Sequence, residues 1–260
     1  MRTHNRINAA MPETFPIPIP ARLPVRISPC PIVEAVFEIR FTSTEPWATM
    51  PGLLYAEIRQ KYCEQKQLPI AHMPEEIRRQ DPVMARLPLM QFLGSDFLIQ
   101  LGPRVVNLVT KPNAYPGWAA IESELRWTLE RLQKVGFVSE GKRLGVRYID
   151  FFAGDIFQSL KLGLHLDDRA LGGVEADVTT IFRRGPLTMR LRLANGAIVA
   201  RPAGPQPGSV LDMDAWFGAL DFDVFKDSPS RFAEAHQAIK ELFFGLLRKE
   251  YLATLHPEYE

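Results

Sequence analysis

Two charged stretches of this chain have the residue types and spacing to bind ions. Between 187 and 201, strand alternation sends Leu187, Met189, Leu191 and Leu193 to one face and Arg190 and Arg192 to the other. Asn195-Gly196 is the favoured pair for a two-residue type I′ turn, so the pattern predicts a hairpin of 187–193 with 197–201. That turn would set Arg190 opposite Arg201, and like charges across a ladder are unfavourable unless something acidic neutralises them. Arg183 and Arg184 extend the patch, and guanidinium forks match phosphate or carboxylate oxygens. One expectation is an anion or nucleic-acid site on Arg183, Arg184, Arg190, Arg192 and Arg201. The competing and favoured one is internal pairing, because Asp212 and Asp214 follow in the next strand, with Asp221, Asp223 and Asp227 close behind. Single-strand binding would also want aromatic residues interleaved on that face, and this hairpin has none.

The second stretch is Asp212-Met213-Asp214, whose carboxylates share a strand face about 6.6 Å apart. Such a pair can hold a divalent cation with a phosphate substrate, but no neighbouring histidine or glutamate completes a ligand set. Asp212 and Asp214 are therefore weak metal candidates, weighed against salt bridges to the arginine hairpin. His165-Leu166-Asp167-Asp168 lacks a second histidine at helical spacing and is weaker still. Glu34 and Glu38 stand about 13 Å apart in a strand, too far to share a proton or a metal, and read as a face paired with cross-strand arginine. His236 lies beside an apolar helical stripe and reads as a packed, hydrogen-bonded histidine.

No G-x-x-x-x-G-K-[ST] loop, G-x-G-x-x-G turn, H-E-x-x-H helix or G-x-S-x-G elbow occurs in the chain, so no cofactor is expected. In 260 residues, 31 Lys and Arg stand against 30 Asp and Glu, which leaves no global field to hold a polyanion or a membrane. Cys30 and Cys63 follow no metal spacing and fit a reducing compartment. Neither an apolar leader nor a run long enough to span a bilayer is present, so a cytoplasmic location is expected.

The elements that must carry these residues start at Pro31. Residues 31–41 alternate strictly, with Val33, Ala35, Phe37, Ile39 and Phe41 on one face. Before them, residues 1–30 form a proline-rich extended arm in which Phe15, Ile17 and Ile19 could enter a groove on the protein or on a partner. After them come a helix from Pro51 with Leu54, Ile58 and Tyr62, an irregular stretch over 64–83, a three-strand meander within 89–110, and a helix over 118–135 closed by Gly136. A strand over 144–152, a short helix over 155–162, a strand over 178–182, the hairpin, a strand over 210–217 and a long helix from Pro229, capped by Ser228, follow. The order repeats, which predicts an α+β fold of two similar halves, 31–142 and 143–255. Each would be an antiparallel sheet backed by helices, the two sheets separate or joined in one.

Residues 31–41 resemble the P-x-V-E-A-V-F-E-I-R-F strand that opens a sporadically distributed bacterial family of uncharacterised proteins. Arg147-Tyr148-Ile149-Asp150 is similar to that family's central R-Y-I-N/D strand, and the last helix, with His236 and Phe243, to its closing segment. The resemblance implies the architecture and a bacterial cytoplasmic origin, and it supplies no catalytic residue. The function expected is a non-enzymatic binding or assembly module recognising a protein partner or a second copy. The alternatives are a nucleic-acid-associated protein of a mobile or defence-type operon, using the arginine hairpin, and a metal-dependent phosphoryl-transfer or hydrolytic enzyme, using Asp212 and Asp214.

Overall fold

The alternation that starts at Pro31 becomes the centre of one large sheet. In the computed structural model, which describes residues 17–170, 175–201 and 204–260, β1 (Ile32–Ser43) buries Ala35, Phe37, Ile39 and Phe41 on one side. The chain continues through α1 (Met50–Ile58), β2 (Glu64–Gln67), α2 (Glu75–Gln80), β3 (Met90–Leu93), β4 (Phe97–Gly102), β5 (Val105–Thr110) and α3 (Trp118–Val135). Next come β6 (Val138–Ala153), the two-residue strands β7 (His165–Leu166) and β8 (Arg169–Ala170), and then β9 (Asp177–Arg184), β10 (Leu187–Arg201), β11 (Gly204–Phe222), α4 (Val224–Leu246) and α5 (Lys249–Thr254).

Nine strands form a single sheet in the order β2-β3-β4-β5-β1-β6-β11-β10-β9, with every pairing antiparallel. The expected α+β class therefore takes the joined-sheet form, and the boundary expected at 142/143 falls inside β6. Helix α4 packs on β6, β11 and β1, while α3 bridges α4 and α1. The inward parity of β6 (Leu144, Val146, Tyr148, Asp150, Phe152) faces these helices and is buried. Among the described residues no helix is long and apolar enough to cross a membrane.

Several local expectations need correction. The stretch over 64–83 is less irregular than expected, since it holds an edge strand and α2. The helix over 155–162 shrinks to a single 3-10 turn at Phe157–Ser159. Helix α4 starts at Val224, ahead of Pro229, because the Asp223 carboxylate accepts from the backbone N–H groups of Phe225 and Lys226 and supplies the cap expected from Ser228.

The largest correction concerns Asn195-Gly196, which is no hairpin turn. Strand β10 runs through it with a register shift between Ala194 and Ala197, and Gly196 takes φ 68°. The Ala176 N–H donates to Asn195 Oδ1 at 2.7 Å, and the Asn195 N–H donates to the Ala176 carbonyl at 3.1 Å. These bonds tie the pair sideways to the segment before β9 and compete with a turn. The β10–β11 connection lies at 202–203, outside the described residues.

Candidate ligand-binding site

Four parts of the fold meet around a cavity of about 610 Å³. Tyr148 and Asp150 of β6 and Met213 of β11 line it from the sheet. His236, Ile239, Lys240 and Phe243 follow one another at the three- and four-residue spacing of one α4 face. The loop after β5 brings Tyr115, and Gly117, at φ 91°, delivers the chain to Trp118 at the start of α3. Residues 24–28 and Cys30 of the arm, with Pro31 and Ile32 at the start of β1, complete the wall.

The arm is fastened where it passes the cavity. The Val25 N–H donates to the Glu258 carbonyl at 2.8 Å, the Glu258 N–H to the Arg26 carbonyl at 2.9 Å and the Ser28 N–H to the Leu255 carbonyl at 2.7 Å. The Ser28-Pro29 bond is cis. Ile17 packs against the core beside Gly245, where an added Cβ would meet its side chain at 3.1 Å. Ile19 is exposed, and Phe15 lies outside the described residues.

The polar groups of the cavity are of two kinds. Tyr148 and His236 satisfy each other, with the Tyr148 hydroxyl 2.8 Å from His236 Nδ1, and the imidazole stacks on Trp118 at 4.0 Å between centroids and 2° between planes. Burial, and secondarily the charge of Lys240, push the histidine down to about 4, so it is neutral at pH 7. Burial is also the main reason that the Tyr115 hydroxyl is raised to about 12 and that of Tyr148 well above its ordinary value.

Asp150 is the other kind. It is 1% exposed, and among the described residues neither carboxylate oxygen has a hydrogen-bond partner. Burial, and then the Asp212 carboxylate, push its carboxyl up to about 8, so in the empty cavity it holds its proton at neutral pH. Other buried acids are satisfied: Glu124 accepts from Tyr62 and Lys61, and Glu241 from Arg184 and Gln237. An aspartate on the apolar parity of a strand is a signal present in Arg147-Tyr148-Ile149-Asp150.

Arg190 and Arg192 lie on the opposite face of the sheet from the helices, whereas Arg184, opposite the buried Leu187, falls on the helix side. With no turn at Asn195-Gly196, Arg190 pairs with Asp214 and Arg192 with Asp212, and the predicted Arg190–Arg201 opposition does not form. Arg190 approaches Asp214 at 3.5 Å, Arg192 makes two bonds to Asp177 at 2.9 and 2.6 Å, and Arg184 pairs with Glu241. Arg183 is exposed, and the Arg201 side chain lies outside the described residues. The two aspartates also take arginines from β6: Asp212 accepts from Arg147 at 2.7 and 2.8 Å, and Asp214 from Arg143 at 3.2 and 3.4 Å. Arg143 continues to Glu38, which also meets Arg40 at 2.8 Å. Among the described residues no group of three or more metal-ligating side chains comes together.

This ladder makes a stability prediction. Arg147→Ala strands the Asp212 carboxylate, 5% exposed, without its bidentate donor. Breaking a buried pair is expected to cost about 2 kcal/mol here, below the usual range because Arg147 keeps 40% exposure and water screens the pair. Arg192→Ala removes an exposed pair and should leave the urea midpoint unchanged. Parallel urea titrations of the two variants check the contrast.

Comparison with protein-family models and with curated proteins finds no match.

Proposed function

We propose that this protein is a non-enzymatic binding module whose recognition site is the cavity between the arm, α4 and the sheet. The observation that carries the reading is the preformed volume of about 610 Å³, well within the roughly 300–1,000 Å³ usual for ligand sites. Its walls are mostly apolar and aromatic, with a few polar groups converging from separate elements, the composition that fixes a ligand's orientation after the walls have given affinity. The arginine face is the weaker candidate, since most of its cations already have carboxylate partners.

Two further expectations belong to this proposal. Outward from the β1–β6 pair, β5 and β11 take equivalent places, each pairing with the first strand of its half and each followed by a long helix. That order supports a duplicated unit with the cavity in its second half, closed by parts of the first. The proposed bacterial cytoplasmic family, with a protein partner or second copy as the larger assembly, is compatible with a cavity that receives a partner's side chain.

A fragment library screened by saturation-transfer NMR tests the reading. Hits should bind the wild-type protein and lose their signal in Cys30→Trp, which adds bulk at an arm residue that lines the cavity. Hits that bind both proteins alike, or an absence of hits, would contradict it.

A further inference from the structure

We propose that the cavity selects a ligand bearing an organic ammonium or guanidinium group, which enters beneath the arm and pairs with the Asp150 carboxylate. The inference rests on the cavity being a binding site and adds the chemical class of what it binds.

The first support is the unsatisfied acid itself. A carboxyl 1% exposed whose two oxygens have no partner among the described residues is a rarity in a folded protein, where buried polar atoms are nearly always hydrogen-bonded. Asp150 is among the residues that line a cavity with room for a ligand. The second support is the sign of the surroundings. The ionisable groups that interact with Asp150 are Cys30 from the arm, Tyr115 from the loop, Tyr148 from its own strand and Asp212 from β11. Each of these is neutral or negative. Arg147 is turned to the other face of the sheet and already committed to Asp212. On α4, His236 is neutral and stacked, and Lys240 lies on the same cavity wall without reaching the carboxyl. A cation is thus the component that this end of the cavity lacks.

The aromatic rings fit the same occupant. Tyr115, Trp118, Tyr148 and Phe243 line the cavity, and π faces attract desolvated cations while covering the apolar body that carries them. A charged amine would bind with Asp150 ionised, releasing the proton that the buried carboxyl otherwise holds. A free small amine and a lysine, arginine or N-terminal amine of a partner share this chemistry.

Isothermal titration with three probes that share a 2-phenylethyl body, 2-phenylethylammonium, 2-phenylethanol and 3-phenylpropionate, tests the inference on the full chain. The ammonium should bind at pH 8 at least tenfold tighter than the alcohol, and the carboxylate should not bind. Asp150→Asn should abolish that preference, and a cooperative urea-unfolding transition of the variant shows that it is folded. Lowering the pH from 8 to 6 should weaken ammonium binding by up to tenfold per pH unit, because protonation of Asp150 then competes with the ligand. His236, at about 4, the raised Cys30 and Tyr115, at about 12, do not titrate in that window. A lysine-bearing peptide that binds tighter than phenylethylammonium would assign the cation to a partner protein, and a weaker one to a free amine. Equal affinity for ammonium and alcohol, or an ammonium preference that survives Asp150→Asn, overturns the inference while the cavity reading stands. Failure of all three probes overturns both.

Discussion

Phe37→Ala is expected to lower the stability of the protein by about 4 kcal/mol, the range for emptying a buried aromatic site. Phe37 is 1% exposed at the middle of the central strand. Its ring makes edge contacts with Tyr148 at 6.0 Å and Phe232 at 5.9 Å and a tilted one with Trp118 at 6.1 Å. It therefore joins β6, α4 and α3, and neighbours drawn from three elements collapse poorly into a void. Two of those neighbours, Tyr148 and Trp118, also line the cavity, so the substitution should weaken ligand binding as well. Val36→Ala is the control, because Val36 faces the other side of the sheet and is only half-buried; it should cost no more than about 1 kcal/mol. Urea unfolding of both variants checks the prediction, and equal losses would contradict the placement of the core.

Asp150 should make the ligand-free protein less stable as the pH rises. Its ordinary value is 3.8 and its folded value about 8, so between these limits the folded state keeps a proton that the unfolded state has lost. The folded state must therefore carry the cost of that retained proton, or of a buried charge, over the whole window. Stability from this group is complete below about pH 4, declines through neutrality and levels off above about 8. At roughly 1.4 kcal/mol per pH unit, the loss by pH 7 is about 4 kcal/mol. Asp150→Asn removes the slope but leaves a buried amide in need of partners, at a cost of about 1–3 kcal/mol. The variant should thus be less stable than wild type at pH 4 and more stable, by about 2–4 kcal/mol, at pH 8. Denaturant titrations across that range check the crossing, and parallel pH profiles would show that Asp150 is not desolvated. A residue that lowers stability in the empty protein is what a binding site retained for its ligand should contain.

What the sequence made legible follows from how local each signal is. The parity of residues 31–41, the α3 stripe with Gly136 at φ 75°, and the β3–β5 meander depend on nearest neighbours, and the fold keeps them. Asn195-Gly196 carries an equally strong local signal, yet a sideways bond to Ala176, distant by about twenty residues, overrides it. Without that turn Arg190 does not face Arg201 but lies opposite Asp214, one of the acids expected to neutralise it, while Arg192 makes its ion pair with Asp177. The cavity was illegible for a related reason. Its wall combines an arm, a loop, three strands and two helices that are far apart in sequence, and the peculiarity of Asp150 lies in the absence of a partner among the described residues. Only assembly of the whole sheet reveals such an absence, although the parity that carries Asp150 inward was already readable.

The most direct test of the central claim is the titration of the Asp150 carboxyl, followed by its side-chain carbon resonance in NMR with Asp150→Asn used for assignment. A dry carboxyl without partners at a ligand site should titrate near pH 8 in the free protein and move below neutrality when 2-phenylethylammonium is bound. A free-protein value below about 5, unmoved by the amine, would mean that the carboxyl is already hydrated or paired, and would contradict the account.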